Sequence, residues 1–120
     1  MKRVIVESPF AGRGEGESRV ADASRNLDYL RACLADALAR GEAPFASHGL
    51  YTQPGVLRDE VPEERVKGIA AGFAWRSVAN LTVFYEDRGW SGGMCAALAH
   101  CNDTGSPYEV RRIGGKWGEP

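Results

Sequence analysis

The sequence predicts an α/β fold, a small doubly wound, Rossmann-like parallel sheet with helices on both faces. Three observations support this prediction. Short apolar runs alternate with segments of helical periodicity, an order typical of βαβ units. The runs at residues 4–6 and 81–85 are apolar without alternation, as expected for strands buried on both faces. The length of 120 residues suits a single domain, which we place at residues 1–120.

The N-terminal part of the chain predicts a strand, a loop and a long helix. Residues 4–6 form the first strand, and the glycine-rich residues 11–17 form the loop. Asp22 or Ser24 caps the helix, and Gly41 follows its last turn. Its apolar residues recur at spacings of three and four: Leu27, Leu30, Leu34, Ala37 and Leu38.

The remaining elements continue the alternation of strands and helices. Residues 43–46 predict the second strand, and residues 47–61 predict an irregular loop that is long enough to be functional. Pro62 opens the second helix, because proline is favoured in a first helical turn. The last three predicted elements are a strand at 81–85, a helix at 91–101 and a strand at 108–113. We expect a loose tail at residues 114–120.

The predicted strand order is 2-1-3-4. Right-handed crossovers leave few topologies for this succession of elements. Ligands of such sheets bind at the carboxyl ends of the strands, where the strand order reverses. That point lies between strands 1 and 3, so the turn at residues 8–10 is expected beside residues 86–94.

Composition and charge argue against several classes of partner. The net charge of −1, from 15 basic and 16 acidic residues, argues against a nucleic-acid partner. No apolar stretch reaches the ~20 residues needed to span a membrane. The N-terminus enters a strand directly, unlike a signal peptide, and three cysteines suit a reducing compartment, so we expect a cytoplasmic protein. The spacing of Cys95, His100 and Cys101 fits no common zinc pattern, so we predict no metal, and nothing indicates a cofactor.

Residues 80–105 carry the most functional information. They predict a buried strand, an acidic turn and a helix that Ser91 opens, with Gly92, Gly93 and Met94 in its first turn. The free N–H groups and the dipole of such a helix start favour a phosphate or another anion. The alternative is a capped helix in which glycine only permits close packing.

Several short motifs, in order along the chain, resemble the nucleoside 2-deoxyribosyltransferase-like superfamily, above all its small phage and bacterial members. Asn26 matches an asparagine that the family places at the start of the first helix, and it is expected either to contact the ligand or to cap that helix. The other matching motifs are Ser8-Pro9-Phe10-Ala11-Gly12, Pro44-Phe45-Ala46-Ser47-His48-Gly49-Leu50-Tyr51, Pro62-Glu63-Glu64-Arg65 and Ser91-Gly92-Gly93-Met94.

The resemblance implies a site for a nucleoside or nucleotide and an activity on the N-glycosidic bond. The transferases use a glutamate that follows the Gly-Met motif directly, or by three residues in many small relatives. Those positions here are Cys95 and Ala97, which have no carboxylate. A catalytic protein would therefore need Glu7, Glu86 or Asp87 as nucleophile, acid or base, to hydrolyse the bond or transfer the sugar. The alternative is a non-catalytic protein that senses or sequesters a nucleotide.

The remaining candidate ligand contacts each have a structural alternative. His48 and Tyr51 on the long loop either cover the ligand or pack the loop, and Trp90 lies over the entrance of the site. Cys95 at a helix start is either a reactive thiol or a small core residue. The resemblance also implies a homodimer or larger homo-oligomer, which we expect to form through the second helix, since Phe73 and Trp75 point in different directions.

Overall fold

The computed structural model describes residues 1–117 and confirms the predicted α/β fold. Four parallel strands form one sheet in the predicted order β2-β1-β3-β4. The elements in chain order are β1 Arg3–Glu7, α1 Gly16–Ala39, β2 Ala43–Phe45, α2 Ser47–Leu50, α3 Pro62–Ala74, β3 Leu81–Tyr85, α4 Gly92–Thr104 and β4 Tyr108–Arg111, with 3₁₀ turns at Trp75–Ser77 and Gly115–Trp117.

The two central strands carry apolar side chains to both faces of the sheet. Val83 and Tyr85 of β3 pack on the α1 side, where Tyr29, Leu30 and Cys33 complete the core. Phe84 points to the opposite side, where it packs with Met94, Ala97 and Cys101 of α4. This two-sided burial explains why the strands lack the polar alternation of a sheet with one wet face.

The first helix begins at Gly16, earlier than predicted. Neither Asp22 nor Ser24 caps it, because both lie inside the helix. The N-cap is Glu15, which makes no side-chain capping hydrogen bond. The Asp22 carboxylate instead accepts hydrogen bonds from the backbone N–H of Arg13 at 2.8 Å and from Nη2 of Arg88 at 2.6 Å. It therefore fastens the loop before α1 to the turn after β3.

Other boundaries also differ from the predictions. The segment predicted to be irregular contains the short helix α2. The strands β2 and β4 end at Phe45 and Arg111, earlier than predicted, and α4 extends to Thr104. No helix within residues 1–117 combines the length and the apolar character needed to cross a membrane.

The prediction of a loose tail from residue 114 is wrong for residues 114–117. The backbone N–H of Gly114 donates to the Asp87 carboxylate at 3.0 Å. The Trp117 ring packs on Tyr29, with ring centroids 5.1 Å apart. A buried aromatic contact therefore holds this end against α1. The rest of the predicted tail, residues 118–120, lies outside the described residues.

Candidate functional site

A cavity of about 360 Å³ lies at the carboxyl end of the sheet, at the reversal between β1 and β3. The turn after β1 and the start of α4 both line this cavity, and α2 and α3 contribute further side chains. Of the residues predicted from the sequence, the cavity brings together Glu7, Ser8, Phe10, His48, Trp90, Ser91, Gly92, Gly93 and Met94.

Glu7 places a carboxyl group inside this cavity. It is the last residue of β1, and its side chain is only 13% exposed. Burial raises the pKa of Glu7 to about 7, although the nearby positive charge of Arg76 acts in the opposite direction. A carboxyl group with this pKa exchanges a proton near neutral pH, which is the property required of a general acid or base.

Ser8 and His48 form a hydrogen-bonded pair beside Glu7. The Ser8 hydroxyl lies 3.0 Å from Nε2 of His48, and the imidazole forms a T-shaped contact with the Phe10 ring, with ring centroids 5.8 Å apart. Burial lowers the pKa of His48 to about 4, so the ring is neutral at physiological pH. The pair therefore presents uncharged polar atoms to the cavity.

The start of α4 offers backbone donors to the same cavity. The Ser91 hydroxyl caps the helix by accepting a hydrogen bond from the Met94 N–H at 3.2 Å. The N–H groups of Gly92 and Gly93 lie in the first turn of α4 and have no acceptor within the helix, so they remain available to an anion. A Cβ atom added at Gly92 would meet nothing within 4 Å, which shows open space in front of the helix.

Charged and aromatic side chains that we did not predict complete the wall. Arg13 follows β1, Arg65 lies in the first half of α3, and Asp59 precedes α3. Phe73, one of the two aromatic residues from which we expected a subunit interface, also lines the cavity. The Pro62-Glu63-Glu64-Arg65 motif included Arg65 and the predicted loop at residues 47–61 included Asp59, but neither charge was singled out.

Asp87 has a structural role away from the cavity wall. Its carboxylate accepts hydrogen bonds from the Tyr29 hydroxyl at 2.7 Å and from the N–H groups of Ile113 and Gly114 at 3.0 Å. Burial alone would raise its pKa, but these hydrogen bonds outweigh burial and hold the pKa below the ordinary value. Asp87 thus joins α1 to the segment after β4, which does not fit the predicted catalytic role.

Glu86 likewise lies outside the cavity wall. Its carboxylate accepts hydrogen bonds from Nε1 of Trp90 at 3.0 Å and from Nε of Arg112 at 2.9 Å. These two hydrogen bonds hold the pKa of Glu86 below its ordinary value, and the one from Trp90 has the larger effect. Glu86 therefore orients the Trp90 ring, which does line the cavity, and its predicted catalytic role does not fit this position.

Asn26, Tyr51 and Pro9 do not line the cavity either. Asn26 lies within α1, and its amide donates to the carbonyl oxygens of Phe10 and Ala11 at 3.3 and 3.2 Å. It therefore holds in place the turn after β1, which carries residues of the cavity wall. The Tyr51 hydroxyl accepts from Nε1 of Trp75 at 2.8 Å, and Pro9 is buried beside Ser8.

The two positions at which the resembling family carries its glutamate lie away from the wall of the cavity. Cys95 is exposed on α4, and Ala97 is buried against the sheet. Within residues 1–117, no group of three His, Cys, Asp or Glu side chains could hold a metal ion. Among the predicted catalytic carboxylates Glu7, Glu86 and Asp87, Glu7 is the one that lines the cavity.

Residues 2–111 match the family model DUF7768, described as a domain of unknown function. No curated protein and no solved structure matches the chain.

Proposed function

The chain belongs to the DUF7768 family, and we propose that it binds a nucleotide in the cavity between the turn after β1 and the start of α4. One observation carries this proposal. A helix N-terminus, two arginines and three aromatic rings line one cavity at the topological switch point of a parallel sheet. Sheets of this class bind their ligands at that point.

The cationic part of the cavity suits a phosphate group. Gly92 and Gly93 supply backbone N–H groups at a helix N-terminus, which attract an anion through the helix dipole. Arg13 and Arg65 line the same cavity and add two full positive charges. Charge-assisted hydrogen bonds from arginine to phosphate are short and strong.

The apolar part suits a nucleobase. Phe10, Phe73 and Trp90 line the cavity, and Trp90 is stacked on Phe84 with ring centroids 5.0 Å apart. Flat aromatic surfaces bind a base by stacking, a contribution of about 1–3 kcal/mol per base. The volume is at the small end of the range of about 300–1,000 Å³ for small-molecule sites, which favours one nucleotide over a longer ligand.

A second function, cleavage of the N-glycosidic bond, is favoured by Glu7. In hydrolysis the carboxylate removes a proton from water as the water oxygen attacks the anomeric carbon. The bond from that carbon to the base then breaks, and the base leaves with the electron pair and takes up a proton. The pKa of about 7 suits this proton transfer. Without this step the protein would be a nucleotide sensor or store.

Binding is tested by calorimetry with nucleosides, their mono-, di- and triphosphates, and inorganic phosphate. We expect a nucleotide to bind and Arg65→Ala to weaken its binding at least about tenfold, since a hydrogen bond to a charged group contributes roughly 1.5–3 kcal/mol. Lys67→Ala is the matched control, because it removes one exposed cation from the same helix outside the cavity. Equal losses in both variants, or no binding by any nucleotide, would contradict the proposal. Release of free base, measured on the same panel, separates catalysis from binding.

A further inference from the structure

Arg76 is buried behind the cavity with part of its guanidinium group unpaired. It follows α3 in the 3₁₀ turn, and its side chain is 2% exposed. Nη1 donates to Sγ of Cys101 at 3.5 Å, and the guanidinium lies 4.9 Å from the centroid of the Phe73 ring. Nε and Nη2 have no hydrogen-bond partner among the described residues. Buried donors of this kind are rare in folded proteins and require a physical explanation.

The two unpaired nitrogens form one edge of the planar guanidinium group. This is an edge through which arginine binds a carboxylate with two parallel N–H···O bonds. The carboxyl group of Glu7 lies next to it, with Oε1 3.9 Å from Nη2. That distance allows electrostatic attraction but is too long for a hydrogen bond.

We infer that Arg76 is a positioning residue that holds the ionised form of Glu7 at the cavity wall through its Nε and Nη2 edge. When Glu7 loses its proton to water or to a ligand, the carboxylate accepts both N–H groups of this edge. When Glu7 is protonated, the pair loosens to the separation seen here. The use of Glu7 in catalysis depends on the proposed function, whereas the pairing is a property of the free protein.

Among the charged groups around Glu7, Arg76 is the one whose charge affects the pKa of Glu7. The other ionisable groups on the cavity wall are Arg13, His48, Asp59 and Arg65. His100 stacks on Phe73 at 4.3 Å behind the pair, and burial, followed by the charge of Arg76, lowers its pKa. Burial raises the pKa of Glu7, and the charge of Arg76 is the influence that opposes burial.

The pairing is tested by NMR titration of the free protein, with labelled glutamate carboxyl and arginine Nε groups. We expect the Glu7 carboxyl and the Arg76 Nε–H signals to titrate together, near pH 7. Glu7→Gln should abolish the titration of the Arg76 signal. Arg76→Met should raise the pKa of Glu7 by about 1–3 units, the usual effect of losing an adjacent opposite charge. Arg76→Lys keeps the positive charge and should therefore raise the pKa of Glu7 less than Arg76→Met does.

Arg65→Met is the matched control, since it removes another cation from the same cavity wall and should leave the pKa of Glu7 in place. An Arg76 signal that stays constant while Glu7 titrates would overturn the inference. This result needs only the wild-type protein, so it stands even if Arg76→Met fails to fold.

The catalytic consequence has a separate readout. If the protein converts a nucleotide, the pH profile of turnover should move to higher pH in Arg76→Met and remain close to the wild type in Arg76→Lys. A profile that does not move in Arg76→Met would overturn the positioning role. Coupled titration in a protein that binds no nucleotide would refute the proposed function and support the pairing, so the two failures can be told apart.

Discussion

Glu7 combines burial with a position on the cavity wall, and this combination makes stability depend on pH. Its pKa is raised from 4.5 to about 7 in the folded protein, so folding favours the protonated form. The stabilisation is complete below the unfolded pKa and is lost as the pH rises through the folded pKa. The loss amounts to at most about 3.5 kcal/mol, because one pKa unit corresponds to about 1.4 kcal/mol.

We therefore predict that wild-type stability falls relative to Glu7→Gln as the pH rises from 4.5 to about 7. Above that range the difference should be constant. Urea unfolding of both proteins across this range measures the effect. Parallel pH dependence in the two proteins would mean that the carboxyl group is solvated in the folded state.

Asp87 provides a contrast at the same scale, because its carboxylate bridges elements and does not reach the cavity. Asp87→Ala should lower the free energy of unfolding by about 1–3 kcal/mol, since it leaves partly buried N–H groups without their acceptor. Nucleotide affinity should change little. The exposed Asp103→Ala is the control and should have almost no effect on stability. Loss of affinity in Asp87→Ala without loss of stability would return Asp87 to the binding site.

The difference between Glu7 and Arg76 shows what the sequence revealed about single residues. Glu7 was predictable because the carboxyl end of a central strand is a defined place in a parallel sheet. Arg76 lies at a helix end and has no pattern of its own. Its role depends on a carboxyl group far away in the chain, and only the packing of α3 against the sheet brings the two together.

The start of α4 is the element on which the proposed phosphate binding depends. Gly92→Ala should fold with equal or slightly higher stability, because alanine restricts the unfolded chain and the added Cβ meets nothing within 4 Å. The Cα–Cβ bond of a helical residue is tilted toward the helix N-terminus, so the added methyl group would extend toward the space that a bound phosphate needs. Nucleotide affinity should therefore fall at least about tenfold, or 1.4 kcal/mol. Thermal unfolding and calorimetry measure the two quantities, and unchanged affinity would place the phosphate elsewhere.

Elements with strong periodicity were predictable, and the errors occur where tertiary contacts override local signals. The strands β1 and β3 and the body of α1 follow directly from apolar spacing. The predicted start of α1 was wrong because Asp22 is a residue type that often caps helices. In the structure its carboxylate accepts hydrogen bonds from Arg13 and Arg88 instead. The short helix α2 has little sequence signal, and it packs through Gly49, where an added Cβ would lie 2.7 Å from a methyl group of Leu30.

Assembly is the first question at the scale of the whole molecule, and the homodimer stays a prediction. On α3, Val66 is 66% exposed and Ile69 37% exposed, and Trp75 beyond its end is 48% exposed. We expect α3 to pair with its copy, so that Val66→Asp gives a monomer. Val20→Asp on α1, where Val20 is 70% exposed, is the control and should leave the mass unchanged. Light scattering over a range of concentrations measures the mass of each variant. A wild-type monomer mass at all concentrations would refute the prediction.

The topology of the whole molecule was predictable because right-handed crossovers and a parallel sheet permit few arrangements. That topology also located the cavity in general terms, since it fixes where β1 and β3 end. The depth of the cavity and the identity of its charged side chains depend on how α2 and α3 close over the sheet. No local pattern in residues 47–61 encodes that closure.

The most direct test of the central claim is amide chemical-shift mapping during titration with a nucleoside monophosphate. We predict saturable shifts of the Ser8, Gly92 and Gly93 amides and of the Trp90 indole N–H, all of which belong to residues that line the cavity. Inorganic phosphate alone should shift the two glycines and not the indole. Shifts confined to other surfaces, or no saturable shift with any nucleoside mono-, di- or triphosphate, would contradict nucleotide binding in this cavity.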